Sequence, residues 1–325
     1  MSATTQIAFG PVPSRRLGRS LGVNNVPPKH CSYACVYCQV GRTTSLEVER
    51  RAFLPPEELV AAVERRVADC RASGQQIDYL TFVPDGEPTL DAHLGAEIGA
   101  LKALGIPVAV ITNGSLLWRP DVRAELGGAD LVSVKLDAAD EPVWRRVNRA
   151  SRGLSLTRVL DGIRGFAAEY RGRLITESML VRGLNDDPVS VEGVARFLQT
   201  LGPSVAYLSV PTRPPAELDV QPPGEAAVVA AYDLLSARLP RVELLTGDEQ
   251  GAFGRTGDPA EDLLGILAVH PMKEDAARLY MAGAGAEPQA LDRLLAGGQI
   301  VRVPHRGRVF LARRLGTRRA GAGSR

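Results

Sequence analysis

The chain has few cysteines, few lysines and no long apolar run. Four cysteines in 325 residues do not make a disulfide framework, and in a reducing compartment they are metal ligands or spares. No uninterrupted apolar stretch approaches the roughly 18 residues of a membrane span, and the N-terminus carries no apolar leader core. The chain is therefore expected to be cytoplasmic, with no membrane partner. A formal net charge of +2 makes no global demand for nucleic acid. Only four of the 39 basic residues are lysine: Lys29, Lys102, Lys135 and Lys273. Such a bias makes single arginines uninformative and gives a lysine inside a motif more weight.

What remains is ordinary for a globular protein: 45% hydrophobic and 23% charged residues, enough chain for one large α/β domain with or without a small one. Three of the four cysteines fall in eight residues, Cys31-Ser-Tyr-Ala-Cys35-Val-Tyr37-Cys38, with the spacing C-x3-C-x2-C. A closed zinc site needs four ligands, and a cubane iron–sulfur cluster normally takes four thiolates. Three thiolates would hold a four-iron cluster by three corners and leave one iron open for chemistry. The alternatives are a loop with incidental thiols, or a zinc site completed by His30 or by a remote ligand.

From residue 57 to 240, helical patterns alternate with short β-branched runs. Helices are expected over 57–72, 91–104, 119–126, 141–169 (broken at Gly153), 189–200 and 225–238. Strands are expected over 77–83, 107–111, 130–136, 173–180 and 205–210, and one near 21–24 makes about six. Repeated units of this length imply a parallel sheet with helices outside and ligand groups at the carboxyl ends of the strands. Residues 258–315 read as three short helices and two strands around a basic turn, which resembles a winged-helix module. From Gly316 the tail is rich in Gly and Arg and is expected to be disordered. The stretch 10–22 is too basic and glycine-rich for core. It reads as an arm that either lines the site or is solvated.

The cysteine loop, with Tyr37 just before its third thiol, resembles the cluster loop of the radical S-adenosylmethionine (SAM) superfamily. The resemblance implies a partial (β/α)6 TIM-like barrel over residues 1–255, followed by the winged-helix-like module (256–315) and the tail (316–325). It implies Cys31, Cys35 and Cys38 as ligands of a [4Fe–4S] cluster, with SAM on the open iron. Pro84-Asp85-Gly86-Glu87-Pro88-Thr89 resembles the family's Gly-Gly-Glu segment, with Asp85 in place of the first glycine. Gly86, Glu87 and Pro88 are then expected at SAM, as are Tyr37 and, from a Thr-Asn-Gly turn, Thr112. Alternation turns Ser133, Lys135 and Asp137 to one face, and a buried Lys135 needs Asp137, Glu177 or the SAM carboxylate as partner. By the same resemblance Glu177 lies near SAM.

The implied function is reductive cleavage of SAM to a 5′-deoxyadenosyl radical that takes hydrogen from an unidentified substrate, with flavodoxin or ferredoxin as electron donor. Asp-Gly-Glu-Pro-Thr-Leu, Lys-Leu-Asp-Ala and Pro-Ser-Arg-Arg-Leu-Gly look most like the branch related to wyosine synthesis in tRNA. Wyosine-forming members carry a second cluster on three further cysteines, and only Cys70 is left here. A different reaction is therefore expected, on tRNA or another RNA, or else on a peptide or small molecule. An iron–sulfur redox sensor that binds DNA is the reading from a different class.

Overall fold

The computed structural model describes residues 6–245, 258–269, 272–305 and 308–313. The expected tail and the boundary at residue 255 lie outside them. The chain opens with a hairpin, β1 (Ala8–Ser14) and β2 (Gly18–Val23). The cysteine loop follows, with two short strands, β3 (His30–Cys31) and β4 (Ser45–Leu46). Helix–strand units come next: α1 (Pro56–Ala72) with β5 (Tyr79–Phe82), α2 (Leu94–Lys102) with β6 (Val108–Thr112), and α3 (Pro120–Leu126) with β7 (Leu131–Lys135). Then come α4 (Glu141–Val147) and α5 (Leu156–Glu169) with β8 (Arg173–Met179), α6 (Pro188–Leu201) with β9 (Val205–Ser209), and α7 (Glu225–Ser236) with β10 (Val242–Leu245).

Eight strands form one sheet in the order β1-β2-β5-β6-β7-β8-β9-β10. All neighbours are parallel except β1, which runs antiparallel to β2. The result is the expected α/β partial barrel. Two strands exceed the expectation. β10 is a four-residue edge strand. β1 has a register shift between Phe9 and Val12, around Gly10-Pro11, that breaks any alternation. An edge strand tolerates such prolines. The basic arm is thus a hairpin, and the expectation that it is too basic for core is corrected in part: its backbone is paired and Leu17 is 3% exposed, while Arg15 and Arg19 stay exposed.

Helix starts follow local chemistry. Pro56, Pro120 and Pro188 open α1, α3 and α6 in the first turn, where proline loses no helical hydrogen bond. Asp140 caps α4 through the amide of Val143, and Asp187 caps α6 through the amides of Val189 and Ser190, each at 3.0 Å. Of the Asn185-Asp186-Asp187 run only Asp187 caps. Asn185 Nδ2 donates to the carbonyls of Asp137 and Met179, both at 2.8 Å, and so joins two strand ends.

The helix-facing side of the sheet makes the main core, with Leu80, Phe82, Val110, Val132 and Val134 against helix residues such as Leu59, Val63 and Ile98. The inner face has two levels. Its lower level is an apolar floor: Leu17, from the β1–β2 turn, packs with Ala109, Leu131, Ile175, Val205 and Tyr207. One layer up, at the carboxyl ends, the inward side chains turn polar.

Beyond the barrel lie α8 (Pro259–Val269), β11 (Met272–Lys273), α9 (Glu274–Gly283), α10 (Ala290–Ala296), β12 (Ile300–His305) and β13 (Arg308–Arg313). The three strands pair antiparallel in the order β11-β13-β12 over a second core that includes Leu263, Ile266, Leu267, Ile300 and Leu311. A buried ion pair fastens this part to the barrel: Arg66 of α1 meets Asp262 of α8 at 2.8 Å, their side chains 8% and 1% exposed. Arg66 Nε also donates to the carbonyl of Gly10 at 2.7 Å. Among the described residues, no helix is long and apolar enough to cross a membrane.

Candidate active site

Cys31 closes β3, and Cys35 and Cys38 follow on the loop beyond it. Backbone bonds hold the loop from two sides. The amides of Ala34 and Val36 donate to the carbonyls of Asn148 and Val147, at 3.0 and 2.9 Å. On the other side, Lys29 N–H donates to Asp85 O at 2.7 Å and Glu87 N–H donates to His30 O at 2.9 Å. Gly86 sits between these last two bonds. A Cβ there would collide with the His30 carbonyl oxygen, so the position accepts glycine alone.

Side-chain amides reach two of the sulfurs. Asn113 Nδ2 stands 3.6 Å from Cys31 Sγ, and Asn148 Nδ2 stands 3.3 Å from Cys35 Sγ. Such donors favour the thiolate. Burial works against it. Burial pushes the Cys31 thiol well up, and the charges of Glu87, Cys35 and Cys38 add to that. Cys35 is pushed up to about 12, by burial first and then by Asp137. By themselves such thiols stay protonated; only a cationic centre would ionise them together, and a coordinated thiol is deprotonated outright. The donor set therefore fits an iron–sulfur cluster. Among the described residues, no three His, Cys, Asp or Glu side chains form a group able to hold one metal ion. Thiolates that each bind a different iron stand farther apart than ligands of a single ion. His30, the alternative zinc ligand, has its Nδ1 2.6 Å from Glu47 Oε1.

The residues expected at SAM fall into two groups. In the first, Glu87 is 1% exposed and its carboxylate is fully engaged. Oε1 accepts from the hydroxyls of Thr112 and Thr89, both at 2.6 Å, and Oε2 accepts from Asn113 N–H at 2.8 Å. Burial raises the Glu87 carboxyl, while these hydrogen bonds pull it back down. The side chains of Glu87 and Thr112 thus bind each other and lock the end of β5 to the end of β6. Gly86 and Pro88 flank Glu87 on the same turn.

The second group lies across the barrel. Lys135 and Glu177 are register partners on β7 and β8, with Nζ 3.2 Å from Oε1. Of the partners expected for Lys135, Glu177 is the one that holds it. Ser209 donates to Glu177 Oε1 at 3.1 Å, and Arg16, rising from the hairpin turn, pairs with Oε2. Lys135 Nζ also lies 5.0 Å over the Tyr37 ring. Asp137 is occupied elsewhere: its Oδ2 accepts from the Tyr37 hydroxyl and, at 2.6 Å, from Asn148 Nδ2.

Cys70 is remote from all of this, fully buried on α1 with Leu59 and Val63. Asn113, Asn148 and Lys29 were not singled out from the sequence. Asn113 lies within the Thr-Asn-Gly turn, a signal available to sequence reading. Asn148 lies 113 residues from Cys35 and has no local signal.

The sequence matches the model of the radical SAM superfamily over residues 25–192. It is 40% identical over 314 residues to a UPF0026 protein of Methanocaldococcus jannaschii, covering 96% of this chain and 97% of that one. It is 28% identical over 218 residues to the probable dual-specificity RNA methyltransferase RlmN of a Synechococcus strain, covering 63% of this chain and 58% of that one. Among solved structures, that of TYW1 with a lysine–pyruvate adduct bound aligns with a TM-score of 0.51 over 68% of this chain and 74% of that one. At 17% identity, that likeness is one of fold. The chain belongs to the radical SAM superfamily and, by its full-length relative, to the UPF0026 proteins within it. Members of the superfamily are enzymes that use a [4Fe–4S] cluster and SAM.

Proposed function

We propose that Cys31, Cys35 and Cys38 hold a [4Fe–4S] cluster by three corners and that the chain cleaves SAM reductively to abstract hydrogen from an RNA substrate. The observation that carries the first part is the set of three thiols on one pinned loop at the barrel mouth. When bound, the cluster and SAM supply the electron transfer and the carbon radical. The protein's part is placement. Asn113 and Asn148 orient the sulfurs of Cys31 and Cys35. The rigid turn Gly86–Pro88 offers backbone carbonyls to the amino group of SAM, and Glu87 with Thr112 keeps that turn in place. Tyr37, Lys135 and Glu177 line the opposite wall, where two cations on one carboxylate leave a net positive charge for a carboxylate or phosphate. The apolar floor keeps water from entering below.

The likeness to RlmN supports RNA as the substrate class. The basic arm supports it less than its composition suggests, because Arg16 is turned inward onto Glu177 and Arg19 pairs with Asp78 at 2.8 Å. Better support comes from the surface, where Arg152 and Arg182 are exposed and, in a hollow lined by α3 and α5, Arg158 lies 3.4 Å over the Trp118 ring. Guanidinium and indole faces are platforms on which bases stack. Residues 256–315 are proposed as a winged-helix-like module that adds to this surface. A low-potential protein such as flavodoxin or ferredoxin is proposed as electron donor.

The test is anaerobic reconstitution followed by dithionite and SAM, with and without total RNA. The expected result is 5′-deoxyadenosine, formed faster with RNA. No 5′-deoxyadenosine from protein carrying four irons, with RNA present, would sink the proposal. Turnover without any salt-dependent RNA binding in filter assays would remove RNA from it.

A further inference from the structure

Lys29, two residues before the first thiol, is 6% exposed, and its Nζ has no hydrogen-bond partner among the described residues. Leaving an ammonium buried and unbonded is costly. The backbone places it there against its own preference: φ at Lys29 is 68°, in the left-handed region that side chains rarely adopt. Bonds on both sides hold it, since Lys29 N–H donates to Asp85 O at 2.7 Å and Lys29 O accepts from Ser45 N at 3.1 Å. Burial works against the charged form of Lys29 and lowers its pKa, while the charges of Asp85 first, then Cys38 and Cys31, favour the ammonium. Asp85 is the residue that departs from the family's Gly-Gly-Glu segment, and it is also 6% exposed. The departure and the buried lysine therefore stand side by side at the cluster loop.

We propose that Lys29 is a positioning residue for the electron: its buried ammonium, backed by Asp85, favours the reduced state of a cluster held by Cys31, Cys35 and Cys38. Reduction adds one electron and one negative charge to a site already ringed by three thiolates. A fixed cation in a medium of low dielectric stabilises that added charge, and net charge and hydrogen bonding around a cluster set its potential. Asp85 moderates the effect, so the two side chains act with opposite sign. The inference rests on the cluster reading above.

The test uses full-length wild type, Lys29→Met, Lys29→Arg and Asp85→Asn, reconstituted without SAM. Each is assayed for iron and sulfide and titrated with dithionite under electron paramagnetic resonance. At a fixed poise, Lys29→Met is expected to lower the ratio of reduced to oxidised cluster about tenfold, which is 59 mV for a one-electron couple. Lys29→Arg should stay near wild type, and Asp85→Asn should move the ratio upward. A four-iron Lys29→Met that titrates like wild type overturns the proposal, as does a Lys29→Arg that shifts as far as Lys29→Met. If Lys29→Met takes up no cluster, Lys29→Arg decides. Loading at the wild-type potential supports the charge role, and an empty Lys29→Arg assigns the residue to packing and overturns it. A wild type that never takes up four irons sinks the cluster reading itself, and the role of Lys29 with it.

Discussion

The side-chain amide of Asn148 stands 3.3 Å from the sulfur of Cys35 and 2.6 Å from the carboxylate of Asp137. One amide thus joins the cysteine loop to the end of β7, and through Asp137 to the hydroxyl of Tyr37. Asn148→Ala removes a donor from a buried carboxylate and from a sulfur at once. Hydrogen bonds to charged groups contribute about 1.5–3 kcal/mol, and a stability loss in that range is expected by urea unfolding. Cluster occupancy, read as iron per chain, should fall with it.

Thiol position separates the proposed ligands from the spare. Cys35→Ala is expected to lose the four-iron cluster and with it all SAM cleavage. Cys70→Ala should keep four irons per chain, because Cys70 faces the core of α1. Its cost is a small cavity of about 1 kcal/mol, visible in thermal melting and not in the iron assay.

Glu97 of α2 gives a pH signature. It is fully buried, and neither carboxylate oxygen has a hydrogen-bond partner among the described residues. Burial, then the charge of Asp91, pushes its carboxyl up to about 8; the Asn25 side chain pulls down and Glu125 adds to the rise. A group raised in the folded state favours folding at low pH and loses that contribution as pH rises from its ordinary value to the folded one. Stability should therefore fall between about pH 4.5 and 8 at up to roughly 1.4 kcal/mol per pH unit. Glu97→Gln should flatten that slope and be more stable than wild type at pH 7. Denaturant midpoints across the pH range check both, and an unchanged slope in Glu97→Gln refutes the assignment.

Asp262→Ala would strand the buried guanidinium of Arg66 between the barrel and α8. Breaking one side of a buried pair costs about 3–5 kcal/mol. The expected outcome is a lower melting temperature and faster loss of the intact chain in limited trypsin digestion. A melting curve and digestion pattern like wild type would show that the pair contributes little.

The parallel strands were legible because β5 to β9 are apolar runs spaced by helices, and the spacing of Cys31, Cys35 and Cys38 is what points to the proposed cluster. The β1–β2 hairpin was not legible. Gly10-Pro11, Pro13 and three arginines hide its pattern, and it is burial of Phe9 and Leu17 that organises it. The pairing of Lys135 with a carboxylate followed from burial, but the choice of Glu177 over Asp137 depended on Asn148 and Tyr37 already holding Asp137. Asn148–Cys35 and Lys29–Asp85 are contacts across 113 and 56 residues. Local pattern carries no trace of such distances.

Leu17 closes the lower end of the barrel against Ala109, Leu131, Ile175 and Tyr207. A vessel stoppered at the bottom cannot fill or drain that way. Among the described residues its sheet stays open between the unpaired edges β1 and β10 and at the carboxyl ends of its strands, so whatever reaches Lys135 and Glu177 comes and goes on those sides and not through the floor.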